Sequence, residues 1–210
     1  MKLLQYPNPT IADFTEENII RMWCGIEAGY VNHPSDRGKE TKYGVTYATA
    51  QENKAELVKR FGWNGQVRDL TEEMAYWVYK TQWWDRMRCT EIHAIHPFLA
   101  DRVFDFAINA GRALGVKTLQ RILNVCNRQG KDYADITPDG GVGPATLGAL
   151  RAYVDKRGKD GIATLIQFQF ALQGNHYVTL AEKSPTQEDF VNGWGARIRD
   201  VNNLYFRTKK

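Results

Sequence analysis

Cysteine is scarce in this 210-residue sequence, and long apolar runs are missing from it. The three cysteines, Cys24, Cys89 and Cys126, are an odd number without a C-x-x-C pair, which argues against a disulfide framework and a structural zinc site. No uncharged apolar run approaches the roughly 18 residues that suggest a membrane span. The N-terminal segment MKLLQYPNPTIADF also lacks the pattern of a secretory signal. We therefore expect synthesis in a reducing cytoplasm.

Positive charge is present but concentrated at one end. Residues 1–95 carry 12 Lys and Arg against 13 Asp and Glu, whereas residues 96–210 carry 16 against 11. A nucleic-acid-binding protein would spread basic residues over a face, so we expect no nucleic-acid partner. The excess instead lies in the last fifteen residues, which predicts a localised contact with an anionic outer-membrane or lipopolysaccharide surface. The alternative is a last helix packed on the body with a solvated basic end. The basic residues in question are Arg197, Arg199, Arg207, Lys209 and Lys210.

Helical spacing of apolar residues predominates along the chain. Thr15 and Thr71 are suitable N-caps, each followed by two glutamates, and Pro97 suits a first helical position. Strand signals are weak. We predict a mostly α fold with at most a small β-hairpin near residues 31–45. Further helices are predicted at 46–61, 116–123, from Pro144, at 160–180 and at 187–206.

Glu27 is the first candidate for chemistry. It lies seven residues after Ile20 and four after Trp23, so in a helix it shares their inward face. Burial disfavours the charged form of a carboxylic acid and raises its pKa, which suits a general acid. In the alternative, Glu27 turns out to solvent at the helix end or pairs with Arg21.

Asp36 follows Glu27 by nine residues, in a turn-rich loop. Glycoside hydrolysis needs a proton-donating carboxyl and an ionised carboxylate on either side of the scissile bond, and this pair could supply both. The hydroxyl of Thr41 or of Thr46 could hold an attacking water. Ser-Asp-x-Gly is also ordinary turn chemistry, which is the alternative for Asp36.

The segment EAGYVNHPSDRGKETKYGVT (27–46) resembles the signature region of the glycoside hydrolase family 108 muramidases, which include many phage endolysins. Ala28 and Lys39 replace glycines of the family pattern, and no carboxylate is lost. Further segments resemble later blocks of the family in the same order, so that the resemblance covers roughly residues 10–195. These segments are WWDRMR (83–88), FDFAINAG (104–111), DGGVGPATLGAL (139–150) and FVNGW (190–194).

The resemblance implies a lysozyme-like helical fold of two lobes in one compact body. Residues 1–95 would form the catalytic lobe, and residues 96–210 a helical lobe similar to a peptidoglycan-binding region. It also implies cleavage of the β-1,4 bond between N-acetylmuramic acid and N-acetylglucosamine, with Glu27 as the acid. By a weaker analogy with phage-type lysozymes, Asp36 is the second carboxylate, with Glu40 in the same loop as the alternative base.

Other residues are candidates for substrate binding. Tyr30 and Tyr43 flank the loop and could stack on sugar rings or simply pack. Asn109 could bond an acetamido group, or act as a helix amide bonded to the backbone. Trp83 and Trp84 fit a core better than a subsite. His93 and His96 have metal-ligand spacing without a third ligand, so no metal site is predicted.

Three functions remain open at this stage. The first is a muramidase endolysin that lyses bacteria, and the second is a non-catalytic wall-binding or assembly protein on the same fold. The third is a lytic transglycosylase, which would need only the acid. No cofactor is implied, because the chemistry is proton transfer and water attack. We expect a monomer that is made in the host cytoplasm and, from the family resemblance, reaches the periplasmic wall with a holin.

Overall fold

The protein is described by a computed structural model over residues 7–26, 29–32 and 40–208, without the side chain of Ile26. Within these ranges the chain is mostly helical with one small antiparallel sheet, which confirms the predicted class. The helices are α1 (Glu16–Ile26), α2 (Tyr47–Glu52), α3 (Lys54–Phe61), α4 (Glu72–Tyr79), α5 (Cys89–His93), α6 (Pro97–Ala110), α7 (Arg112–Cys126), α8 (Pro144–Lys183) and α9 (Glu188–Arg207).

Helix starts follow the capping residues that the sequence offers. The Thr15 hydroxyl accepts a hydrogen bond from the Asn18 amide at 3.1 Å, and Thr71 does the same for Met74 at 3.3 Å. Pro97 occupies the first turn of α6, where its missing N–H costs nothing. These bonds satisfy amides that have no partner inside the helix, so each cap fixes where its helix begins.

One predicted helix is divided in the structure, and a predicted division between two others is present as a kink. The helix expected at 46–61 is divided at Asn53, whose side chain donates to the Thr49 carbonyl at 2.8 Å and competes with the backbone ladder. The helices expected from Pro144 and at 160–180 are both present as the two parts of α8, which meet at a kink at Gly158, where φ is 56° and ψ is −142°. Only glycine adopts that backbone conformation readily.

The sheet contains three short strands where the sequence predicted a hairpin at most. Strands β1 (Tyr30–Asn32), β2 (Glu40–Lys42) and β3 (Val45–Thr46) lie in the order β1-β2-β3, all antiparallel. Tyr43 and Gly44 form the β2–β3 turn, both with positive φ, as a tight two-residue hairpin requires.

The centre of the core is α6. Its side chains from Phe98 to Ala107 are all buried, and it contacts α1, α5, α7 and α8. The buried apolar cluster around it runs from Phe14 to Leu204, so both ends of the described chain contribute to one core. No helix within the described ranges is both long and apolar enough to cross a membrane.

Candidate active site

Helix α1 leads directly to the predicted acid. Ile20 and Trp23 are fully buried, which confirms that this face of the helix points inward. The last described residue of α1 is Ile26, and Glu27 follows it. Glu27 and Asp36 both lie outside the described residues, so their roles remain predictions.

Arg21, the alternative partner considered for Glu27, contacts residues of α1 and α4. Its guanidinium bonds Glu17 at 2.9 Å and Glu73 at 2.8 Å, and it stacks over the Tyr76 ring at 4.6 Å. The Glu73 hydrogen bond holds the pKa of Arg21 above its usual value, and the same contact lowers the pKa of Glu73. Arg21 therefore serves to join α1 to α4.

Trp23 is fixed on both its edge and its face. The indole Nε1 donates to Asp101 Oδ1 on α6 at 2.6 Å. The Arg197 guanidinium of α9 lies over the ring, with Cζ 4.1 Å from the centroid. A desolvated cation–π contact contributes about 2 kcal/mol. The end of α1 is thus held by a residue far along the chain.

Behind Trp23 lies a buried network of charges. Asp105 accepts from Arg197 Nε at 2.6 Å and from Arg102 Nη2 at 2.6 Å, and Gln173 of α8 adds a bond at 2.9 Å. Asp101 accepts from Tyr205, whose hydroxyl also accepts from Arg102 Nε at 3.1 Å. Helices α1, α6, α8 and α9 therefore meet at two carboxylates.

The pKa values of the two carboxylates in this network are shifted in opposite directions. Burial raises the pKa of Asp101 above its usual value, because Arg102 and the hydrogen bonds from Tyr205 and Trp23 offset only part of the desolvation. Burial would also raise the pKa of Asp105, but Arg102, Arg197 and Gln173 outweigh it, so this pKa is lowered. Asp105 is consequently held as a carboxylate between two arginines.

Thr41 and Thr46 face each other across the β2–β3 ladder. Thr46 is the N-cap of α2, and its hydroxyl accepts from the Thr49 amide at 3.2 Å. The Thr41 hydroxyl is buried and makes no hydrogen bond within the described part of the chain. A buried hydroxyl without a partner costs free energy, so Thr41 is better suited than Thr46 to hold a water.

Tyr30 and Glu40 lie together on the outer side of the sheet. The Tyr30 hydroxyl donates to Glu40 Oε1 at 3.0 Å, and the Tyr30 side chain is 41% exposed. Tyr43 is half-buried and packs on the core, with the Lys42 ammonium 5.4 Å from its ring centroid. Of the two tyrosines, Tyr30 presents the ring that a sugar could stack on.

Asn109 lies at the end of α6. Its Nδ2 donates to the Asp105 carbonyl at 3.0 Å, the helix bond that the sequence analysis gave as the alternative. The residue is nevertheless exposed, and Ala110 and Gly111 directly after it line a cleft of about 670 Å³. The cleft is also lined by Trp83, Arg112, Lys117 and Gly140.

The two neighbouring tryptophans have different roles. Trp84 is fully buried against Phe104 and donates to the Thr90 hydroxyl at 3.1 Å. Trp83 is half-buried, sits in a π-helical turn (Lys80–Trp84) and faces the cleft. Such turns recur at functional sites, so the expectation of a core role fits Trp84 and is too simple for Trp83.

His93 and His96 both form hydrogen bonds with backbone groups. His93 Nε2 bonds the Phe14 carbonyl at 2.7 Å, and His96 Nδ1 accepts from the Phe98 amide at 3.2 Å. No cluster of three potential metal ligands occurs among the residues described.

The prediction that Arg197 belongs to a basic surface is wrong. Arg197 was assigned with Arg199, Arg207, Lys209 and Lys210 to an anionic contact, but its side chain is only 8% exposed and bonds Asp105. The reason is that α9 packs along α8 and turns this position inward. Arg199 remains on the surface beside Asp200, and Lys209 and Lys210 lie outside the described residues.

Sequence reasoning did not single out Asp101, Arg102 and Asp105. The available signal was the presence of three charged residues in the segment FLADRVFDFA, whose other residues are all apolar and occupy every side of the helix. Charged residues at such positions are almost never fully buried unless paired. Their partners lie about 70 to 100 residues away, so the signal marks a buried network without identifying its other half.

Comparison with known proteins agrees with this architecture. Residues 20–111 match the model of the family described as Glycosyl hydrolase 108, and residues 114–199 match that described as Predicted Peptidoglycan domain. The solved structure of Brucella abortus SagA is similar, with a TM-score of 0.62 and 26% identity over 89% of this chain and 91% of that chain. No curated protein matches the sequence significantly.

The fold and these matches define a glycoside hydrolase that acts on peptidoglycan, with a mostly α, lysozyme-like fold as predicted. The part of the chain that matches the glycosyl hydrolase 108 family is residues 20–111, and the match to the peptidoglycan domain follows at 114–199. The matched boundary falls after α6. The predicted division of the chain at residues 95 and 96 stays a prediction.

Proposed function

We propose that the protein is an N-acetylmuramidase, a lysozyme-type hydrolase that cleaves the β-1,4 bond between N-acetylmuramic acid and N-acetylglucosamine. The observation that carries this proposal is the glycosyl hydrolase 108 match over residues 20–111, a range that includes Glu27, Asp36 and Thr41. The peptidoglycan domain that follows supports the same substrate.

Glu27 is the proposed general acid. Its proton would pass to the glycosidic oxygen as the bond breaks, which requires a carboxyl that is still protonated near neutral pH. The burial of Ile20 and Trp23 on α1, the helix that precedes Glu27 in the sequence, supports this role because desolvation raises a carboxyl pKa.

Asp36 is the proposed second carboxylate, and Thr41 the residue that holds the attacking water. The unpartnered buried hydroxyl of Thr41 supports its role, whereas the Thr46 hydroxyl is used as a helix cap. Glu40, bonded by Tyr30, is the alternative base. Retention and inversion require carboxyl separations of about 5 Å and about 6.5–9.5 Å, and the anomer of the first product distinguishes them.

The proposed contacts with the glycan are Tyr30 on the sheet and, at the end of α6, Asn109 and the cleft lined by the residues that follow it. Trp83 supplies an aromatic ring for a sugar, and Lys117 and Arg112 supply positive charge for the carboxylates of wall peptides.

The products of digestion test the proposal. Purified peptidoglycan treated with the enzyme is expected to yield fragments with reducing muramic acid ends in mass spectrometry. Anhydromuramic ends would instead identify a lytic transglycosylase, and binding without any released fragment would identify a non-catalytic wall protein. Either result would overturn the muramidase assignment.

A separate proposal concerns the C-terminal part of α9, which leads into the basic end of the chain. Phe206 is 75% exposed, and Arg199 is largely exposed. We propose that these residues, with Arg207, Lys209 and Lys210, contact anionic outer-membrane or lipopolysaccharide surfaces. Replacing Arg199 and Phe206 by Ser should weaken binding to lipopolysaccharide vesicles while digestion of purified wall is unchanged. Equal vesicle binding by the double variant would remove this proposal.

We also propose, from the family resemblance, a lysis role in a phage or prophage setting with release to the wall through a holin. Cells producing the protein alone are expected to keep their optical density, and cells that also produce a holin are expected to lyse. Lysis without the holin would contradict the proposed route.

A further inference from the structure

Arg197 crosses from the peptidoglycan domain into the glycosyl hydrolase region. It belongs to the range matched at 114–199, whereas its two described partners, Asp105 and Trp23, belong to the range matched at 20–111. Its guanidinium bonds Asp105 through Nε at 2.6 Å and lies 4.1 Å from the Trp23 ring centroid. A residue of one family region is therefore part of the core of the other.

Charge neutralisation alone does not explain this placement. Asp105 is already bonded by Arg102 of its own helix at 2.6 Å and by Gln173 at 2.9 Å, and the side chains of Arg102 and Asp105 are fully buried together. A second buried arginine adds a desolvation cost that hydrophobic packing would avoid. Both arginines lie over aromatic rings, Arg102 over Phe170 at 4.4 Å and Arg197 over Trp23 at 4.1 Å, and the ring that Arg197 contacts belongs to α1.

Trp23 lies near the end of α1, and its contacts with Asp101 and Arg197 hold that end of the helix. It is fully buried and precedes Glu27, the proposed acid, by four residues in the sequence. Its edge is fixed by Asp101 and its face by Arg197, so rotation of the ring is restricted from both directions. A shift of Trp23 would move the end of α1 at Ile26, because a helix moves as a rigid element, and Glu27 is joined directly to that end in the sequence.

We propose that Arg197 is a positioning residue of the hydrolase: it clamps the Trp23 end of α1 and thereby holds Glu27 in place for proton donation. This inference rests on the proposed role of Glu27. It assigns to the peptidoglycan domain a part in catalysis in addition to any binding of the wall.

Three full-length variants test the inference with soluble peptidoglycan fragments as substrate. In Arg197→Met the contact with Trp23 is lost. We expect kcat to fall about 10- to 100-fold while KM changes little, because misplacement of a reacting group slows the chemical step and not binding.

Gln173→Met is the matched control, because it removes a different bond to the same carboxylate and does not touch α1 in the described contacts. It should lower the melting temperature while kcat stays near the wild-type value. Arg151→Met, an exposed arginine of the same domain, controls for the loss of surface charge.

Arg197→Lys gives a second readout if Arg197→Met does not fold. Lysine keeps a positive charge for Asp105 but lacks the planar guanidinium that stacks on an indole. We expect this variant to melt close to the wild type and to show an intermediate loss of kcat. Two results would overturn the inference. In the first, Arg197→Met and Gln173→Met show the same loss of melting temperature and the same loss of kcat. In the second, Arg197→Met raises KM and leaves kcat unchanged. An inactive wild-type enzyme would instead count against the proposed function.

Discussion

Among single residues, the two threonines of the β2–β3 ladder have different expected roles: Thr46 stabilises the fold, and Thr41 takes part in catalysis. Thr46 caps α2, whereas the buried Thr41 hydroxyl has no partner among the described residues. Replacing Thr46 by Val is expected to lower the free energy of unfolding by about 1 kcal/mol, the usual value of a helix cap, with turnover retained. Urea unfolding measures the first quantity and release of reducing ends the second.

Thr41→Val is expected to behave in the opposite way. Removing a buried hydroxyl without a partner leaves stability unchanged or raises it by up to about 1 kcal/mol, because no hydrogen bond is lost. Turnover should fall by about 10-fold or more if this hydroxyl holds the attacking water. Loss of turnover in Thr46→Val with a fully active Thr41→Val would reverse the assignment.

The two buried carboxylates should show opposite pH dependence of stability. The lowered pKa of Asp105 gives stability that is present above the unfolded-state value near 3.9 and is lost as the pH falls through the folded value. The raised pKa of Asp101 means that the folded state binds more protons, so its contribution falls as pH rises from about 3.9 towards the folded value.

The Asp101→Asn variant isolates the second of these effects. Because the amide does not ionise, the difference in unfolding free energy between variant and wild type should shift in favour of the variant as the pH rises above about 4. Urea unfolding at a series of pH values measures this difference. A difference that is constant with pH would show that Asp101 titrates normally in the folded protein.

At the scale of elements, the bend of α8 is a backbone property of one glycine. A Cβ at Gly158 or at Gly148 would meet no atom within 4 Å, so the two positions differ in backbone conformation and not in space. Gly158→Ala is expected to lower the free energy of unfolding by about 1–3 kcal/mol, because φ is 56° there. Gly148→Ala in the regular part of the helix should raise it by about 0.5–1 kcal/mol. Similar effects of both changes on thermal unfolding would contradict the bend.

Element positions were predictable from the sequence where a local signal exists. Thr15, Thr71, Pro97 and Pro144 each mark a helix start through a bond or a missing N–H within their own turn. The break at Asn53 was not predicted, because the apolar spacing continues across it. The third strand was missed for a similar reason, since a two-residue strand carries no periodicity.

The candidate site was predictable only in part. The segment from Tyr30 to Thr46 could be singled out because its candidate residues lie close together in sequence. The Asp101, Arg102 and Asp105 network could not be assembled, since it depends on Gln173, Arg197 and Tyr205, and pairing over such separations leaves no local pattern. The same lack of a pairing signal led to the incorrect surface assignment of Arg197.

At the scale of the whole molecule, the two family regions share one core. Asp101 and Asp105 take partners from α8 and α9, and the buried apolar cluster includes Val201 and Leu204. A chain that ends after Gly111 would leave both carboxylates buried without Gln173, Arg197 and Tyr205, or exposed together with the apolar face of α6. Breaking a buried pair costs about 3–5 kcal/mol, a large part of the stability of a domain.

We therefore expect residues 1–111 alone to lack a cooperative thermal transition and a dispersed amide spectrum, whereas the full chain shows both. Circular dichroism on heating and a proton–nitrogen correlation spectrum make the comparison. A well-folded, active fragment would show that the glycosyl hydrolase region is independent of the peptidoglycan domain.

The turnover of Glu27→Gln on purified peptidoglycan tests the assignment of the acid, measured as reducing ends released, with circular dichroism to verify folding. The substitution preserves size and removes the proton that the carboxyl would donate. We predict a folded protein with turnover reduced by at least about 100-fold, the scale of general acid catalysis. A folded variant that still releases muramic acid ends at the wild-type rate would contradict the central claim that Glu27 is the acid of this hydrolase.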